Sequence, residues 1–187
     1  MNTSAPTRTM RICPALCLLL AAALVGCSEN PTASPTASAL PAGFVTNGSA
    51  NGPTVTTVKA QARTGERVTI VGRIGGSVEP FVVDRAVFTI VDPAVPSCAD
   101  GGDPDHCATP WDYCCEDRAS LKAGTASIEI VDAAGKVLPV GLRGVQGLEP
   151  LATVAVTGVV ADRNDQGLLI VRAERIERRP KATVPAP

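Results

Sequence analysis

Aromatic residues are scarce in this chain, with one Trp, one Tyr and three Phe among 187 residues. A surface that stacks successive bases needs several such rings along a basic groove, and these are not available. Charge of one sign is lacking too, since 17 Lys+Arg face 18 Asp+Glu and the formal net charge is −1. Affinity for a phosphate backbone grows with the number of bases brought to it, so composition argues against nucleic acid as a partner. His106 is the only histidine, and any Ser or Cys triad would depend on it. Gly-x-Ser-x-Gly, a phosphate-cradling glycine loop and His-Glu-x-x-His are all absent, and the chain reads as a non-enzyme. No Cys-x-x-Cys occurs, which removes covalent c-type haem attachment and the simplest zinc spacing. The N-terminal apolar run, Ile12 to Val25, falls short of the roughly 20 residues that a membrane-spanning helix needs.

Cysteine, by contrast, is plentiful for this length, at seven residues in two groups. Cys13, Cys17 and Cys27 lie near the N-terminus, behind a polar start whose charges are Arg8 and Arg11. A charged start followed by a short apolar run is the layout of a secretory signal. Leu24-Val25-Gly26-Cys27 closes that run and resembles the lipobox of bacterial lipoproteins. The resemblance implies a signal peptide over 1–26 and a diacylglycerol thioether on Cys27, which becomes the first mature residue. Two or three acyl chains give stable anchoring. It also implies an exported protein tethered to the cell envelope, and Ser28 in second place leans towards the outer membrane in an organism that has one. Losing Arg8 and Arg11 leaves 15 bases against 18 acids, a net −3.

Residues 28–54 carry a tandem Pro-Thr-Ala-Ser at 31–34 and 35–38, followed by dense Gly, Asn, Ser and Pro. Such composition buries little apolar surface, so 27–54 is expected to be a lipidated Cys and a flexible spacer. Residues 180–187, with three prolines, are expected to be a disordered tail. Between them, 55–179 shows five runs of period-two alternation: Val68 to Ile74, Ala86 to Asp92, Ser127 to Asp132, Thr153 to Val160 and Leu168 to Ile176. Gly72 and Gly158 sit inside strands, as glycines do at barrel corners. This points to an all-β fold, and the pattern resembles the OB-fold, a small five-stranded Greek-key barrel. Gly141 to Leu151 has room for one helical turn at best, where OB-folds often carry a short helix between strands three and four.

The alternation stops between the second and third expected strands, over 93–125, and the other four cysteines fall there: Cys98, Cys107, Cys114 and Cys115. The same insert holds His106, Trp111, Tyr113 and six acids, Asp100, Asp103, Asp105, Asp112, Glu116 and Asp117, with no Lys or Arg before Arg118. Loops of this length without periodic structure are usually functional or stapled. Two disulfides are the favoured reading, given an exported compartment and an even count. Adjacent Cys114 and Cys115 would strain a mutual bridge, so each is expected to bond to one of Cys98 and Cys107. The alternative is a metal site for Zn or Cu drawn from Cys98, His106, Cys107, Cys114 and Cys115. Redox chemistry at the vicinal pair is a third reading, disfavoured by the acidic setting. Thr109-Pro110-Trp111-Asp112-Tyr113-Cys114-Cys115-Glu116 resembles a segment of uncharacterised exported bacterial OB-like proteins, which implies a shared module without an activity. Trp111, Tyr113, Asp112 and Arg73 are the candidate binding residues. The chain is expected to act as a membrane-anchored extracytoplasmic binding or interaction module for an unknown protein or small ligand, with no cofactor unless the metal alternative holds. A nucleic-acid-binding OB-fold is the second alternative.

Overall fold

The structure, a computed structural model, describes residues 40–101 and 107–180. The lipobox Cys27, most of the expected spacer, His106 and the expected tail beyond Pro180 lie outside the described residues. Among the described residues, six strands and two α-helices follow in chain order: β1 Val45–Asn47, α1 Val55–Gln61, β2 Arg67–Ile74, β3 Val87–Val91, α2 Arg118–Gly124, β4 Thr125–Glu129, β5 Thr153–Arg163 and β6 Leu169–Arg178. All five expected strands are present as β2 to β6.

Their pairing closes a barrel. β2 runs antiparallel to β3 on one side and to β5 on the other, and β3 runs antiparallel to β4. β4 lies parallel to β6 with Ile128 opposite Val171, and β6 returns antiparallel along β5. The circuit β2-β3-β4-β6-β5 therefore meets itself, which is the OB-type arrangement with its single parallel pair. Alternation delivers the core as expected: Ile70 and Ile74, Phe88 and Ile90, Ile128 and Ile130, Val154 and Val156, Leu169 and Val171 all point inward. Phe81 adds a ring 5.9 Å from that of Phe88.

β6 breaks its own alternation. Leu169, Val171 and Ala173 are buried, and the next buried residue is Ile176. The cause is a bulge at Glu174, where the register steps from Gly158 opposite Ala173 to Thr157 opposite Arg175. Gly158 is required there, because a Cβ at this position would run into the Arg172 carbonyl. The sequence expectation of a glycine inside the strand thus acquires a specific cause.

The N-terminal part of the domain departs from expectation. Residues 45–54, read as spacer, are folded onto the barrel. β1 lies parallel to the end of β6, with Val45 opposite Ile176, and occupies the edge of β6 beyond β4. Ala50 is fully buried against Val71 and Ala155 on the outer face of β2 and β5, and the Val71 amide donates to the Pro53 carbonyl at 2.8 Å. Helix α1 was also unexpected. Its sequence, Val-Thr-Thr-Val-Lys-Ala-Gln, has poor helix propensity, costing a few tenths of a kcal/mol per β-branched residue. Burial of Val55 and Val58 in the barrel core returns about 1.5–3 kcal/mol each, so packing decides the matter. The cap comes from elsewhere in the chain. Thr54 makes no side-chain cap, and the buried Asp92 carboxylate, just past β3, accepts from the Thr56 amide at 2.8 Å and its hydroxyl at 2.6 Å. The connection from β4 to β5 contains one 3-10 turn, Val145–Gly147, flanked by buried Leu142 and Leu148, in keeping with the room expected for it.

Candidate functional site

The insert leaves β3 at Asp92 and returns through α2 to β4, and it is held to the barrel by polar clamps. Ser97 is buried and begins a 3-10 turn, Cys98–Asp100. Asp100 reaches back to the Ser97 amide at 2.8 Å, and the Ser97 hydroxyl bonds the same carboxylate at 2.9 Å. Arg73, near the end of β2, then locks this turn to the barrel, donating to Asp100 at 2.6 Å and to the Ser97 hydroxyl at 3.1 Å. Its side chain is only 18% exposed. Burial raises the Asp100 carboxyl, but Arg73 and the Ser97 donors outweigh it and hold the group below the usual carboxylate range.

A second clamp fixes the far end of the loop. The Trp111 carbonyl accepts from the Gly76 amide at 2.8 Å, and its indole Nε1 donates to the Val78 carbonyl at 3.0 Å. Gly75 is what lets the strap lie so close, since a Cβ there would sit 2.5 Å from the Trp111 oxygen and 2.8 Å from the Tyr113 ring. Tyr113 is fully buried and left-handed, with φ of 59°. Asp112 organises the turn around it, accepting from the Thr109 hydroxyl at 2.7 Å and the Cys114 amide at 2.8 Å.

These two clamps bring the cysteines together. The Cys114 sulfur lies 3.6 Å from that of Cys107, 3.7 Å from that of Cys98 and 3.9 Å from that of Cys115. The sulfurs of Cys98, Cys107 and Cys114 and a carboxylate oxygen of Asp112 all fall within 4.8 Å of one another. A disulfide needs about 2.05 Å. The two bridges expected from the cysteine count are therefore not formed in this structure; all four residues are free thiols, and Cys114 touches three partners where a bridge would select one. The thiols are not equivalent. Burial raises Cys98, but the Cys115 amide and the neighbouring thiols outweigh it and favour its thiolate. Hydrogen bonding to Cys107, Cys98 and Asp112 pushes Cys114 up, and contact with Cys98 pushes Cys115 up. Beside the sulfurs opens a cleft of about 520 Å³, walled by Cys98, Cys107, Cys115, Asp100 and Glu116.

Of the four candidate binding residues, Asp112 alone offers an atom to the sulfur cluster, and all four have structural partners or are enclosed. Tyr113 is enclosed, Trp111 is half-buried and tied to Val78, Arg73 is engaged with Asp100 and Ser97, and Asp112 caps the Cys114 turn. They are the frame of the thiol cluster, because a loop with few apolar residues needs its rings and charges for anchoring. Sequence reasoning missed Ser97, Thr109 and Gly75 as parts of that frame. The Ser97-x-x-Asp100 spacing, a variant of the capping box, was the available signal for the first.

The chain matches no protein-family profile and no curated protein. Among solved structures it is similar to the hypothetical protein YgiW from E. coli, at 17% identity, with 71% of this chain and 95% of that chain covered and a TM-score of 0.33. The OB-like arrangement is given by the strand pairing itself.

Proposed function

We propose that this protein is an envelope-tethered binding module whose ligand is a thiophilic metal ion, held by the cysteine insert. The observation that supports this is the convergence of sulfurs on Cys114 at 3.6–3.9 Å. Four thiolates at about 2.3 Å from a tetrahedral Zn²⁺ stand about 3.8 Å apart, which matches contact spacing of this kind and not covalent pairing. Cys98, Cys107 and Cys114 are three ligands. Cys115 or the Asp112 carboxylate completes the set. Thiolate ligands also suit Cu(I), so the donor type selects a soft or borderline ion and excludes Mg²⁺ and Ca²⁺. The tether follows from the lipobox: Cys27 carries the lipid, and the barrel presents the insert outside the cytoplasm, where a bound ion protects thiols that would otherwise oxidise.

Intact mass of the mature protein, released from membranes and measured first under native and then under denaturing conditions with chelator, tests the reading. One bound ion and four free thiols in the insert are expected, with a diacylglyceryl increment on Cys27. A mass deficit of about four hydrogens with no metal would replace the ion by two disulfides.

A further inference from the structure

This inference rests on the metal reading and concerns how the ion is held. Structural zinc sites are closed, and small domains that depend on them lose their fold with the metal. Three features here differ from that pattern. Cys114 and Cys115 are exposed, and Cys98 and Cys107 are only half-buried. Cys98, Cys107 and Cys115 form part of the wall of the 520 Å³ cleft, so an incoming ligand reaches the sulfurs without any opening of the barrel. The barrel core is complete without the insert, since its cluster runs from Val45 through Ile176 and includes no cysteine.

The donors also outnumber the positions. Cys98, Cys107, Cys114 and Asp112 form one mutually close set, and Cys115 stands against Cys114 at 3.9 Å on the cleft side as a fifth donor. Losing the bond to Cys115 therefore leaves a set of three sulfurs and one oxygen. Such redundancy lowers the cost of replacing one ligand at a time.

We propose that the metal is exchangeable cargo, passed through the cleft by associative exchange with a small thiol, and that Cys115 is the ligand displaced. In that step the bond from the metal to the incoming sulfur forms as the bond to Cys115 breaks. The proton of the incoming thiol passes to the Cys115 thiolate, and the metal keeps its oxidation state.

The test uses the mature protein loaded with one equivalent of Zn²⁺ under reducing conditions, with free cysteine as the incoming thiol and a chromophoric zinc chelator as the sink. The transfer rate is expected to rise in proportion to thiol concentration. Cys115→Ser is expected to keep one equivalent and release it at least tenfold faster, whereas Cys114→Ser, which removes the common contact, loses stoichiometric binding. Far-ultraviolet circular dichroism of the metal-free protein is expected to retain the barrel signal. A rate independent of thiol concentration, equal loss of binding in both variants, or collapse of the barrel without metal would each overturn the exchange proposal. Zinc that is bound but inert refutes exchange alone, whereas a protein that takes up no zinc with its thiols reduced refutes the metal reading beneath it.

Discussion

Replacing Arg73 by Met keeps an apolar stem of similar length and removes the fork that ties the Cys98 turn to β2. Two contacts are lost, to Asp100 at 2.6 Å and to the Ser97 hydroxyl at 3.1 Å. A charge-assisted hydrogen bond contributes about 1.5–3 kcal/mol when protected. Asp100 is 44% exposed, so solvent screening reduces the pair to about 1–2 kcal/mol. If that energy holds Cys98 in place for the ion, its loss weakens zinc binding by about 5–30-fold, at 1.4 kcal/mol per tenfold. Outer partners of metal ligands commonly have effects of 10–100-fold, so the figure is in range. Competition titration against a chromophoric chelator reads the affinity, and urea unfolding of the same samples shows whether the barrel is intact. Arg73→Lys should fall between, because an ammonium keeps the charge without the planar fork. Asp100→Asn should reproduce the loss, and the double variant should cost little more than either single one. An Arg73→Met protein with a folded barrel and zinc affinity within twofold of the parent would refute the claim that this clamp positions the site.

Asp92→Ala removes the acceptor for the Thr56 amide and hydroxyl and the Ala94 amide, and it should cost about 3 kcal/mol in urea unfolding, with a change below 0.5 kcal/mol counting against the cap. Burial raises the Asp92 carboxyl but its Thr56, Ala94 and Thr54 donors hold it below the ordinary value; its stabilisation is therefore complete above the unfolded pKa near 3.9 and fades as pH falls through the lower folded value, a loss that Asp92→Asn should not show. Gly158→Ala should cost about 3 kcal/mol, because the Arg172 carbonyl cannot retreat without breaking the bulge, and a neutral result would mean that β5 and β6 pair differently. Tyr113→Phe deletes a buried hydroxyl that has no partner among the described residues, so it should leave stability unchanged or raise it by about 1 kcal/mol, and destabilisation would reveal a bond beyond those residues.

The barrel was legible because β2 to β6 each bury one face, and period-two alternation is the direct imprint of that burial. Where burial comes from small residues or a borrowed cap, the imprint vanishes. Ala50 is fully buried inside a stretch of Gly, Asn and Pro that reads as spacer, and α1 is a helix only because Val55 and Val58 have a core to enter and Asp92 lends an acceptor. The bulge at Glu174 is invisible for a related reason: it depends on what lies across the ladder at Gly158. At the site, the four cysteines were expected to meet as two bridges, and their convergence on Cys114 at contact distance was not readable. Cys98 and Cys114 are 16 residues apart, and the residue that sets the first of them in place belongs to β2.

Adjacent cysteines are poor chelators in extended backbone, where successive side chains point to opposite faces. The turn at Tyr113 changes that geometry. Its left-handed φ of 59° costs about 1–2 kcal/mol for a residue with a Cβ. Its ring, wholly enclosed beside Gly75, buries an aromatic surface of about 150–250 Å², equivalent to about 4–6 kcal/mol at 25 cal/mol per Å², less about 1–3 kcal/mol for the hydroxyl without a partner among the described residues. Burial exceeds strain, so the turn is held by the ring rather than by the cysteines. With the chain reversed there and the Cys114 amide bound to Asp112, the sulfurs of Cys114 and Cys115 stand 3.9 Å apart instead of diverging. The sole tyrosine of the chain thus acts on the site through the backbone, setting two neighbouring thiols side by side without contributing an atom to the cluster.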